Sequence, residues 1–85
     1  MITHVAIKVG DEWFSLPKPF RHHNVMKEYR RIFNVSPFPI PHIQGFLDEN
    51  GNFLDRIEAA EYALSCGQIT KLEDPPELFS EDLWS

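Results

Sequence analysis

Eighty-five residues with a formal net charge of −5 make one small domain, residues 1–85, rather than two. With 42% hydrophobic and 25% charged residues, the composition is globular and excludes wholesale disorder. No apolar run approaches the roughly 18 residues that span a bilayer, the start MITHVAIKVGDEW has no signal-peptide character, and one cysteine, Cys66, excludes an intramolecular disulfide or a multi-cysteine metal site.

These features fit a soluble protein of a reducing compartment. A chain this short buries only about 60% of its unfolded surface, so self-association is the expected reinforcement. The charge is also divided. Residues 1–42 carry a balance of +3 and residues 43–85 a balance of −8. A basic region of this kind can meet an anion, whereas the acidic total excludes bulk nucleic-acid binding, which needs a broad basic face.

Residues 4–9 alternate, with Val5, Ile7 and Val9 on one side and His4, Ala6 and Lys8 on the other, the period of a strand. Gly10-Asp11 signals a tight turn. A hairpin closed there pairs Val9 with Glu12, Ile7 with Phe14, Val5 with Leu16 and Lys8 with Trp13. Pro17 and Pro19 end its second strand. A helix follows, with Asn24 or His22 as its N-cap, Val25, Tyr29, Ile32 and Phe33 as its apolar stripe, and Asn34 as its left-handed stop. Lys27, Arg30 and Arg31 fall off the stripe, on a solvated surface.

The three prolines of NVSPFPIP, residues 34–41, forbid helix and give a rigid extended connector. A second hairpin runs from His42 to Leu54, with Ile43–Leu47 as its first arm and Asn50-Gly51 in its turn. Its acidic loop is not a calcium loop, because Gly51 comes too early after Asp48 and Ala59 stands at the twelfth place. Asp55 and Glu58 then form a capping box for a second helix, with Ile57, Ala60 and Leu64 as the buried stripe. Ala59 and Ala63 permit close approach, and Gly67 is the stop. Residues 72–85 form an acidic tail whose Leu78, Phe79, Leu83 and Trp84 must dock on this core or on a second subunit.

The fold class is therefore α+β. A small antiparallel sheet of two hairpins carries two helices on one face, in the order ββαββα, with a docked C-terminal tail.

Chemistry concentrates at Arg21, His22 and His23. A helix N-terminus offers free N–H groups and the positive end of the dipole, and a guanidinium with two imidazoles there suits phosphate or carboxylate. The same dipole lowers the histidine pKa values. The alternative is that one histidine caps the helix and the other is a satisfied surface group. Adjacent histidines diverge by about 100° on a helix, which argues against one metal held by both.

Gln44 and Phe46 flank Gly45 on a strand, where a planar ring could stack on Phe46 and be read by Gln44, unless Phe46 belongs to the core. Arg56 sits at the first helical position, where a cation opposes the dipole, and this invites a functional or ion-pair explanation. Cys66 is read as a small core residue. No cofactor motif or metal motif is present, and a phosphoesterase using His22 or His23 would want more catalytic groups than the chain offers.

Five ordered blocks, RHHNVM at 21–26, QGFL at 44–47, GNFLDRIEAA at 51–60, CGQ at 66–68 and LFSEDLW at 78–84, resemble a signature of small proteins of tailed bacteriophages and prophages. The likeness covers most of the chain. It implies work in the cytoplasm of an infected bacterial host. The nearest functional family is that of the phage anti-defence proteins such as those acting against Thoeris, which sequester nucleotide-derived signals as oligomers without cleaving them. No ligand residue of that family maps onto this chain.

The reading for this chain is thus a non-enzymatic accessory protein binding a nucleotide-like anion, through Arg21, His22 and His23 for anionic oxygens, Gln44 and Phe46 for a base, and Arg56 as a second clamp. Its expected partners are that small molecule, further copies of the chain in a homo-oligomer, and a host protein. The alternatives are an inhibitor of a host enzyme or DNA mimic acting through the acidic half, and a histidine-dependent phosphoesterase.

Overall fold

A computed structural model describes residues 1–34, 42–72 and 76–84. The connector expected over 34–41 lies, but for Asn34, outside them. The elements in order are β1 (Ile2–Val9), β2 (Glu12–Pro17), α1 (His22–Phe33), β3 (Ile43–Asp48), β4 (Phe53–Asp55) and α2 (Arg56–Ser65), followed by a 3-10 turn over Ser80–Asp82. The four strands form one antiparallel sheet in the order β2-β1-β3-β4. The class is α+β, as the alternation of strand and helix periods requires.

The first hairpin has the register that its alternation dictates: Val5 faces Leu16, Ile7 faces Phe14, Lys8 faces Trp13 and Val9 faces Glu12. The two hairpins join through their first strands, with Val5 opposite Phe46 and Ala6 opposite Gly45. The connection through α1 therefore passes over β1, and β1 lies in the middle of the sheet.

Strand alternation sends Val5, Ile7 and Phe46 to one face, where Val25 of α1, Ala59, Ala60 and Ala63 of α2, and Leu78 close the core. The helices meet different halves of the sheet, α1 on β1 and β2 and α2 on β3 and β4.

Both helix stripes differ from their expected composition. In α1, Val25 is buried and Tyr29 partly so, but Ile32 is exposed, and His22 joins the stripe three residues before Val25. Phe33 contacts the rings of Tyr29 and Phe14 at the rim. In α2, Ile57 and Leu64 are exposed and the buried face is Ala59, Ala60 and Ala63. The small residues let the helix backbone come close to the sheet, and larger side chains cannot share that face.

The N-cap of α1 is Arg21 rather than Asn24 or His22, with Asn24 Oδ1 accepting from the Arg21 N–H at 2.9 Å, whereas the caps of α2 are those expected. Asp55 Oδ1 accepts from the backbone N–H groups of Ile57 and Glu58 at 2.9 and 2.8 Å, and Glu58 Oε1 accepts from that of Asp55. At the other end, Gly67 has φ +81°, and the Gln68 N–H returns to the Ala63 carbonyl at 2.8 Å, closing the helix in a Schellman arrangement. Cys66 is exposed rather than buried, because it occupies the C-cap, outside the alanine face.

The Gln68 side chain binds both backbone groups of Ile2, accepting from its N–H at 2.5 Å and donating to its carbonyl at 3.1 Å. It thereby ties the start of β1 to the end of α2. No helix among the described residues is long and apolar enough to cross a membrane.

Candidate functional site

The first residues of both helices reach neighbouring positions of β3. His22 opens α1. Its Nε2–H donates to the Gly45 carbonyl at 2.7 Å, and its ring stands edge-on to Phe46, 5.0 Å between centroids. Arg56 opens α2. Its Nη2 donates to Gln44 Oε1 at 2.5 Å. The other end of that amide reaches His42 Nε2 at 3.3 Å. The Gln44 NH2 group donates, so His42 Nε2 accepts there.

Two helix N-termini, each with the positive end of its dipole, therefore converge on residues 44 and 45. Strand alternation explains the row on β3, because His42, Gln44 and Phe46 share a face.

The tail lies across this end. Leu78 is buried, its N–H bonded to the Arg56 carbonyl at 3.0 Å. The Phe79 ring lies against the Arg56 guanidinium, 4.5 Å from its carbon to the ring centre. Arg21, the N-cap residue of α1, pairs with Glu81 at 3.1 Å and donates to the Trp84 carbonyl at 3.4 Å. The Trp84 indole N–H donates to the Phe20 carbonyl at 2.9 Å.

Glu81 is held below the usual carboxylate range, first by its own backbone N–H, then by Ser80 and by the charges of Arg21 and Arg56. One carboxylate thus feels both arginines. A groove of about 440 Å³ opens beside Arg56, lined also by His42, Ile43, Gln44, Asp55, Ile57 and Glu77.

Arg56 is the least satisfied member. Its Nε–H is buried with no hydrogen-bond partner among the described residues. Its position at the start of α2 also sets a cation against the dipole. Burying an unpaired donor costs about 1–3 kcal/mol, so both features leave room for an acceptor to be gained.

The structure therefore brings together Arg21, His22, Gln44 and Arg56. It separates His23, which is exposed on the outer side of α1. Phe46 is fully buried beneath His22 and presents no open ring face for stacking. His22 has a lowered pKa, but the cause differs from the expected dipole. Burial comes first, opposed by the hydrogen bond to Gly45 and aided by the charge of Arg56.

Sequence reasoning missed His42, Phe79 and Glu81 as neighbours of the cluster. The period-two spacing of His42 and Gln44 carried the first. Nothing local carries the tail contacts, which are long-range. No group of three or more metal-ligating side chains occurs among the described residues.

The architecture defines a two-layer α+β protein with a cationic cluster where its helix N-termini meet. The chain matches the family model of the phage T4 y16D protein over residues 1–84, and it belongs to that phage protein family. No curated protein and no solved structure matches it.

Proposed function

We propose that the protein is a phage accessory protein that binds a nucleotide-derived anion in the infected host's cytoplasm and withholds it without cleavage, the role of the anti-defence proteins that act against Thoeris. The observation that carries this reading is the convergence of Arg21, Arg56 and two helix N-termini, with the Arg56 Nε–H buried and unpartnered. Phosphate oxygens are the natural acceptors for such a group. Gln44, oriented by Arg56, offers its amide to the groove beside them.

His22 supports binding over catalysis. It is buried and its Nε2–H is committed to Gly45, so it acts as a core residue that shapes the site. The acidic-tail alternative has less support, since Glu81 pairs with Arg21 and Asp82 accepts from the Phe79 N–H within the chain.

Isothermal titration against cyclic ADP-ribose isomers and cyclic oligonucleotides tests the proposal, with mass spectrometry of the ligand afterwards. Saturable heat with one member and intact ligand are expected. Absence of heat with every member, or a cleaved ligand, contradicts it.

A further inference from the structure

The helices cover one face of the sheet and leave the other open. An open antiparallel face normally alternates to polar residues. Here its middle is Ala6 and Gly45, both buried, although no helix among the described residues lies over them. Trp13 comes in from the β2 edge and Phe53 from the β4 edge, and their rings meet at 6.2 Å. Gly45 is required there, because a Cβ would lie 2.6 Å from the Phe53 ring and 2.2 Å from the Leu54 carbonyl oxygen.

The rings cover the small residues, Phe53 half-buried and Trp13 left exposed. Trp13 is 47% exposed, and Ile43, beside Lys8 on the same face, is 54% exposed. A hollow of about 370 Å³ runs between them, with Lys8 and also Asp55 and Glu58 in its lining.

We infer that this face is the seat of a second copy of the chain, two sheets closing face to face over Trp13, Ile43 and Phe53. Charge decides the occupant. The face is apolar at its centre and carries both a lysine and carboxylates. Lys8 takes no carboxylate partner among the described residues. A two-fold axis parallel to the sheet presents the face to itself and directs Lys8 of each copy to the Asp55–Glu58 end of the other. An isologous contact requires such self-complementarity. A nucleic-acid occupant is disfavoured by those carboxylates and the net charge of −5. Ile43 and Asp55 line both this hollow and the groove beside Arg56, whereas Lys8 lines the hollow alone, so Lys8→Glu separates this inference from the proposed anion site.

Sedimentation velocity across a concentration series tests the inference on the full chain, with circular dichroism confirming the fold of each variant. A dimer is expected for the parent chain. Ile43→Asp should abolish it, and Lys8→Glu, a milder surface change, should weaken it at least about tenfold, through loss of one ion pair per copy repeated by symmetry. A parent chain that stays monomeric up to millimolar concentration overturns the inference. So does a dimer indifferent to both substitutions, or a monomer that instead seats a host protein on this face.

Discussion

His22 shows how a residue that reads as chemistry can be structure. Its Nε2–H satisfies the Gly45 carbonyl and its ring covers Phe46. His22→Ala removes both contacts, and a loss of about 3 kcal/mol is expected in urea denaturation. Burial holds its pKa below 6.5 in the folded chain. The unfolded chain therefore binds the proton first as pH falls, so the contribution of His22 is intact above about 6.5 and is lost as pH drops toward the folded value.

His22→Gln should flatten that limb of a stability–pH profile. Losses from Asp48, held low first by the Asn52 N–H, set in only below about pH 4. A profile with no such difference would show that His22 is not buried neutral. Gly45 is the second such residue. Gly45→Ala forces a methyl onto the Leu54 carbonyl, and about 3 kcal/mol of destabilisation is expected from the same denaturation assay.

Among the elements, α2 carries the clearest test. Asp55→Ala frees two N–H groups of its first turn and should cost about 1–2 kcal/mol by thermal melting. The neighbouring Arg56 should behave oppositely. Its charge opposes the dipole and its Nε–H is unpaired, so Arg56→Met should shift stability by less than about 1 kcal/mol while removing ligand heat. A large loss of stability would make Arg56 a structural residue instead.

This contrast marks how far the sequence could be read. The register of β1 with β2 and the Asp55–Glu58 box follow from residues within one turn or one hairpin, and they were legible. The pairing of β1 with β3 depends on contacts about 40 residues apart, which no local pattern encodes. The stripe of α2 failed for a related reason. Ile57 and Leu64 have helical spacing, but the sheet accepts only the alanine face, so close approach overrode hydrophobicity.

At the scale of the molecule, the charge split becomes spatial. The basic Arg21 and the lone early cation of the acidic half, Arg56, meet where the acidic tail returns. The tail contributes to the core as well as to the site. Leu78 is buried against α2, and Leu78→Ala should cost about 3 kcal/mol and loosen Phe79 and Glu81 over the arginines, which amide hydrogen exchange at residues 78–84 will report. The family assignment places this architecture among phage proteins.

An anion bound beside α2 should complete the buried Nε–H of Arg56. The direct measurement is the side-chain Nε–H resonance of Arg56 in a proton–nitrogen NMR titration with inorganic pyrophosphate and with the cyclic nucleotide panel. A saturable downfield shift at Arg56, accompanied by Arg21 and absent at Arg31, is the result expected. An Arg56 signal that stays in place, or small uniform shifts at every arginine, would contradict the account.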